Sequence, residues 1–174
     1  MLTCGGNGGA IISKDKSLIR EVKNIREYDQ KSIKKLHFNF TLNEIGAAIG
    51  ISQLNKIDSF IKNRDKLFNT YLQNHIELLQ TDNSLIKSVK FRAIHITKHP
   101  KKLSKFLLSK KIETIIPYTI NELITKDQSM KNSLNFSQNT ISLPMHLNLS
   151  ISNVEFISKQ IQKYYKKFPN DRFN

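Results

Sequence analysis

Apolar residues come in stretches separated by polar runs, and the spacing inside each stretch predicts an element. GAIIS, residues 9–13, is a short continuous apolar run and reads as a buried strand; Asp15 then opens a helix that is amphipathic through Leu18, Ile19 and Val22. After the polar stretch YDQKSIKK comes LHFNFTLNEIGAAIGISQLNKIDSFIKNRDKLFNTYL, the most strongly patterned part of the chain. Thr41 and Glu44 stand at capping-box spacing, which predicts a helix from near Leu42. Ile45, Ala48, Ile49, Leu54, Ile57, Ile61, Leu67 and Tyr71 continue it at three- and four-residue spacings for about 30 residues, roughly 45 Å. Gly46 and Gly50 mark a break or a close packing contact near its start. FRAIHIT reads as a strand, Lys101 to Ser109 as a short basic helix and IETIIPY as a further strand. ISLPMHLNLS is an extended approach to a last helix, opened by the capping spacing of Ser152 and Glu155 and running to about Lys167. Strand, helix, long helix, strand, helix, strand, helix is an α/β order, with no internal repeat.

The opening MLTCGGNGGAII places four glycines in nine residues. A dinucleotide fingerprint needs a strand before its glycines and a helix after them, whereas Gly8-Gly9 leads into the strand-like AIIS. A P-loop needs Gly-Lys-Ser/Thr, and Gly9 is followed by Ala10. A flexible turn feeding a strand remains, and that strand wants a sheet to join.

Composition narrows the classes. With 174 residues, 39 % of them apolar and periodically placed, the chain can bury a core and is not of the disordered type. No apolar run reaches the roughly 20 residues that cross a bilayer, and the N-terminus lacks the order of a signal peptide, so a cytoplasmic protein without membrane contact is expected. Cys4 is the single cysteine, which excludes an internal disulfide or a multi-thiolate metal site. His37, His75, His95 and His99 show no metal-ligand spacing: His95 falls in a strand and the others read as solvated. The formal charge of +14 attracts anions in general. It comes mostly from lysines dispersed along predicted helices, without an Arg-rich cluster or interleaved aromatics, and so reads as a solvated basic surface rather than a nucleic-acid platform.

Four segments in fixed order, LTCGGNGGAII, FNFTLNEIGAAIGISQL, IETIIPY and ISLPMHLNLS with its closing helix, resemble the C-terminal half of the pyridoxal-phosphate-dependent sugar aminotransferases of the DegT/DnrJ/EryC1/StrS group. The resemblance implies an α/β fold: the C-terminal portion of a fold-type-I aminotransferase, with a long helix linking a large-domain remnant to a small α/β domain. Residues 1–50 would be that remnant and residues 51–174 the small domain. The lysine that forms the Schiff base with the cofactor would fall just before Met1; Lys14 lies on the wrong side of the glycine turn to replace it. The carboxylate that pairs with the pyridine nitrogen, the group stacked on the ring and most of the phosphate cradle would also lie upstream.

Under the resemblance Asn39 matches the asparagine whose amide reaches the cofactor phosphate of a neighbouring subunit; by residue type alone it reads as a turn or cap asparagine before Thr41. His146 matches a common family position and is otherwise a structural histidine in a turn. Departures are Thr41, where the family often has a basic residue, and Ile115, with Glu122 and Leu123 further on, where it often has an arginine or histidine near the sugar nucleotide. The expected function is therefore a C-terminal fragment of a sugar-nucleotide aminotransferase, inactive alone and binding no pyridoxal phosphate by itself. It would have no catalytic residue or metal of its own. An N-terminal half-chain or a homologous aminotransferase subunit would be its partner, and a nucleotide-sugar the substrate of the intact enzyme. The alternatives are a basic module that binds anions or nucleic acid, and a non-catalytic partner of an intact paralogue.

Overall fold

The computed structural model describes residues 5–6, 8–29, 36–83, 85–122 and 130–173. The chain divides into two compact units, Met1–Asp58 and Ser59–Asn174.

The first unit holds α1 (Lys16–Arg26) and α2 (Glu44–Leu54). Asp15 caps α1, its carboxylate accepting from Ser17 N at 2.8 Å and Leu18 N at 3.2 Å, as the sequence predicts. The far end of α1 is closed by the segment that follows: His37 Nδ1 donates to Asn24 O at 2.7 Å, Phe38 N to Ile25 O at 2.8 Å and Phe40 N to Arg26 O at 3.1 Å. Three carbonyls that a helix C-terminus leaves without partners are thereby satisfied, and the FNF stretch is fixed in place. His37 is accordingly half-buried rather than solvated.

Several expectations are corrected here. Residues 9–13 form no strand; the run is unpaired, and Ile12 is 94 % exposed. A strand is stabilised by a neighbour's backbone groups, and none of the described residues of this unit offers them. The cap of α2 is Asn43, accepting from Gly46 N at 2.7 Å, and the Thr41–Glu44 box does not form. Asparagine is the stronger cap, and it starts the helix at Glu44 instead of Leu42.

The predicted long helix is two helices. Asn55 N donates to Ile51 O and Lys56 N to Gln53 O, both at 3.0 Å, a tight turn after which α3 (Ile57–Gln73) begins. The break thus falls after Leu54, not at Gly46 or Gly50.

The second unit contains most of α3, β1 (Ala93–Ile96), α4 (Pro100–Leu108), α5 (Lys131–Asn139), β2 (Thr140–Leu143) and α6 (Ile151–Lys167). β1 and β2 are antiparallel, with Ala93 opposite Leu143 and His95 opposite Ile141. Single bridges extend the sheet on each side, Leu78 to His95 and Ile115 to Ser142. IETIIPY therefore contributes one bridge, not the full strand expected of it. The core gathers Leu67, Phe68 and Tyr71 of α3, Leu103 and Leu107 of α4, Ile141 and Leu143 of β2, and Val154, Ile157, Ile161 and Tyr164 of α6. Those α6 positions recur at i, i+3, i+7 and i+10, one apolar stripe. Ser150 caps α6 in a reciprocal box with Asn153, two residues before the predicted Ser152 start.

Candidate functional site: an exposed asparagine and a basic cleft

Asn39 lies between Phe38 and Phe40, whose backbone N–H groups are tied to α1. The two phenyl rings stack in parallel, 4.7 Å between centroids and 3° between planes. In an extended stretch side chains alternate, so the rings share one side and Asn39 takes the other. Its Oδ1 accepts from the Thr41 hydroxyl at 3.1 Å. Thr41, which replaces a basic residue under the resemblance, thus occupies the amide's acceptor and leaves its two N–H donors for an anion. Asn39 is exposed.

In the second unit a cleft of about 870 Å³ opens beside β2. Its floor is apolar, from Ile112, Leu143 and Ile157, and Phe91 and Phe156 stand at its sides. Ile115 and His146 both line it, so two positions separated by some thirty residues meet at one place, while exposed Glu122 is engaged elsewhere. The Glu122 carboxylate accepts from Thr119 N at 2.7 Å and from its hydroxyl at 2.9 Å, and these bonds hold it below the usual carboxylate range. Leu123 and Cys4 lie outside the described residues.

Arg92, Lys110 and Lys111 also line the cleft, against one carboxylate, Glu113. By sequence pattern Lys110 and Lys111 belong to a solvated basic surface, and Arg92 falls in the strand FRAIHIT. The available signal was the doublet Lys110–Lys111 directly before IETIIPY, although nothing in it points to Arg92.

The wall of the cleft is set by α3. Arg64 is buried, and its Nη1 donates to Phe91 O at 3.0 Å, with Lys90 O at 3.4 Å and Met145 O at 3.5 Å. Tyr71 donates to Pro144 O at 3.0 Å, and burial pushes its phenol well above the ordinary range. Asn63 Nδ2 donates to Leu147 O at 3.0 Å. One helix thus holds the backbone of two of the segments beside the cleft, residues 90–91 and 144–147.

Among the described residues no group of three or more His, Cys, Asp or Glu could hold a metal ion, and no helix is long and apolar enough to cross a membrane. Every described lysine except Lys90 is exposed, Lys14 included. The Lys90 ammonium is 2.7 Å from Asp82 and 4.7 Å from the centre of the Phe68 ring.

The sequence profile of the DegT/DnrJ/EryC1/StrS aminotransferase family matches residues 1–162. The chain belongs to this family. A UDP-4-amino-4,6-dideoxy-N-acetyl-beta-L-altrosamine transaminase of Helicobacter pylori is 26 % identical over 92 % of this chain and 49 % of its own length. The crystal structure of the aminotransferase TlmJ from Streptoalloteichus hindustanus superposes with a TM-score of 0.80 at 16 % identity, over 90 % of this chain and 47 % of that one. The Streptococcus pneumoniae protein Spr1654 in its PLP-form gives 0.75 at 18 % identity, over 89 % and 45 %. The chain thus spans about half the length of the relatives it matches, and its α/β architecture is that of their corresponding portion. Family structures in PLP- and PMP-forms place pyridoxal phosphate as the family's cofactor.

The described residues fit that cofactor at one point only. A Schiff-base lysine must be desolvated to present a free amine. The exposed lysines are hydrated, and Lys90 is held by Asp82. The exposed Asn39 amide carries N–H donors of the kind a phosphate oxygen accepts from.

Proposed function

We propose that this chain is the C-terminal half of a pyridoxal-phosphate-dependent sugar-nucleotide aminotransferase, moving an amino group from an amino acid to a keto-sugar when it is joined by an N-terminal half. The match to the family over residues 1–162 carries the reading. In it, residues 1–50 belong with the large cofactor-binding domain and residues 51–174 form the small domain. The cofactor's electron-sink chemistry is supplied by the bound pyridoxal phosphate, and its lysine anchor comes from the other half. Asn39 donates its amide N–H to the cofactor phosphate in a neighbouring subunit's site, with its orientation fixed by Thr41 and by the bonds of Phe38 and Phe40 to α1.

Cofactor retention and amino transfer from glutamate to a UDP-keto-sugar test the proposal, with this chain alone and together with the N-terminal half of a family member. Neither is expected from the chain alone, because one amide–phosphate bond gives at most about 1.5–3 kcal/mol against the roughly 8 kcal/mol of micromolar binding. Both are expected from the pair, with Asn39→Ala loosening the cofactor about tenfold or more. A single stoichiometric lysine–cofactor bond and turnover by this chain alone would overturn the reading.

A further inference from the structure

We infer that the loop of residues 80–92 docks on an anionic lipid surface, with Leu85 and Ile86 entering the headgroup boundary and Lys87 beside them on the lipid phosphates. The loop leaves the sheet edge at Leu79, whose N–H donates to Ile94 O at 2.8 Å, and returns into β1 at the buried Ala93, so its two ends are held side by side. The Arg64 bonds to the Lys90 and Phe91 carbonyls anchor its base further. Asn83 Oδ1 accepts from Leu85 N at 2.9 Å and Ile86 N at 2.8 Å, while Asn83 N donates to Ile86 O at 3.0 Å. Asp82 Oδ1 accepts from Ser88 N at 2.9 Å, and its Oδ2 lies 2.7 Å from Lys90 Nζ. The turn is therefore built, and what it presents is apolar: Leu85 is 93 % exposed, Ile86 56 % and Val89 53 %.

Large aliphatic side chains held out on an ordered turn leave hydrophobic stabilisation unused. An interface poor in water penalises unpaired backbone groups, and the N–H groups of Leu85, Ile86 and Ser88 are already satisfied within the loop. Charge then selects the occupant. Lys90 neutralises Asp82; with the Ser88 N–H and a weaker pull from Lys87, it holds that carboxyl below its ordinary range. Lys87 is exposed, and among the described residues it has no carboxylate within ion-pair distance. Residues 80–92 carry Lys87, Lys90 and Arg92 against Asp82 alone, on a chain whose formal charge is +14. An apolar tip over a cationic base combines the two terms that bind a protein to an anionic bilayer surface. A nucleic acid would want aromatic platforms or arginine at the tip, and Leu85 and Ile86 offer neither. The sequence expectation of no membrane contact concerns crossing segments, and a loop lying on a surface needs none.

The test floats the whole chain with vesicles of phosphatidylcholine alone, and of phosphatidylserine and phosphatidylcholine in a one-to-three ratio; flotation leaves aggregated chain behind. Binding to the mixed vesicles is expected to be about tenfold or more tighter than to phosphatidylcholine and to weaken as salt is raised. Leu85→Ser combined with Ile86→Ser should lower that affinity about tenfold or more while the melting temperature stays, because both side chains project from the fold. Lys87→Gln should lower it severalfold at low salt and leave it unchanged at high salt. Ile12→Ser combined with Ile45→Ser, among the exposed apolar residues of the other unit, should not alter it. Absence of binding, equal binding to both vesicles, or undiminished affinity in the Leu85–Ile86 variant would overturn the inference. So would a loss as large from the Ile12–Ile45 pair. A Leu85–Ile86 variant that floats as before but self-associates less would assign the tip to a second copy of the chain instead.

Discussion

His95 is the titratable group whose surroundings most restrict it. It sits in β1 at 4 % exposure, its Nδ1–H donating to Glu77 O at 2.6 Å and its Nε2 accepting from the Tyr165 hydroxyl at 2.7 Å. Burial pulls its pKa below the ordinary 6.5, against the opposing effect of the Glu77 carbonyl. The unfolded chain then takes up a proton near pH 6.5 that the folded chain refuses. The contribution is therefore complete above about pH 6.5 and is lost as the pH falls from there through the depressed folded value. Thermal melts should be flat from pH 8 to 7 and decline below about 6.5, ahead of any loss from the Asp171 carboxylate, whose pKa Tyr164 and Lys102 hold low. His95→Gln should flatten that first decline; an unaltered slope would assign it to another group. His75 offers a backbone test. It is exposed, with φ +57°, at the end of α3, so His75→Gly should raise stability by up to about 1 kcal/mol in urea denaturation.

Among the elements, α3 fixes the backbone of two segments beside the candidate cleft, chiefly through Arg64. Arg64→Met keeps the length but leaves the Phe91 carbonyl without its charged donor, which should cost about 2 kcal/mol, read as a lower denaturation midpoint at constant m. Elements whose signals are local were legible in the sequence. Asp15 and the Leu18–Ile19–Val22 pattern predict α1, the Ser152–Glu155 spacing predicts α6 two residues late, and FRAIHIT predicts β1. Signals that depend on distant partners misled. GAIIS has the residues of a strand and no described neighbour to pair with, while IETIIPY finds only Ser142. Helix α5, KNSLNFSQN, went unread because Asn and Ser dilute its two apolar positions and favour turns. The cleft was illegible for the same reason. Arg92, Lys110 and His146 are brought together by the sheet, and nothing in their spacing along the chain announces it, whereas Asn39 was visible through resemblance alone.

At the scale of the whole molecule the two units differ in how they hold themselves. Ser59–Asn174 has a continuous apolar core, whereas no residue of α1 is buried and α2 buries only Gly46. In the first unit Ile11, Ile12, Phe40, Leu42, Ile45, Ile51 and Leu54 all remain exposed. A surface of that kind on an isolated chain drives association. The formal charge of +14 opposes it, because like charges on two copies repel over about 10 Å at 0.1 M salt and only about 3 Å at 1 M. The two effects predict a specific dependence: by sedimentation, the average mass of the purified chain should rise with added salt as repulsion is screened and the apolar face is left to act. Ile12→Lys combined with Ile45→Lys should shift that rise to higher salt without changing the melt of the second unit, whose core neither residue enters. Hydrogen exchange should show the amides of α1 and α2 exchanging well before those of α6. A compact, monodisperse monomer at every salt concentration, protected alike in both units, would mean that the exposed apolar residues of Met1–Asp58 are covered within a single chain.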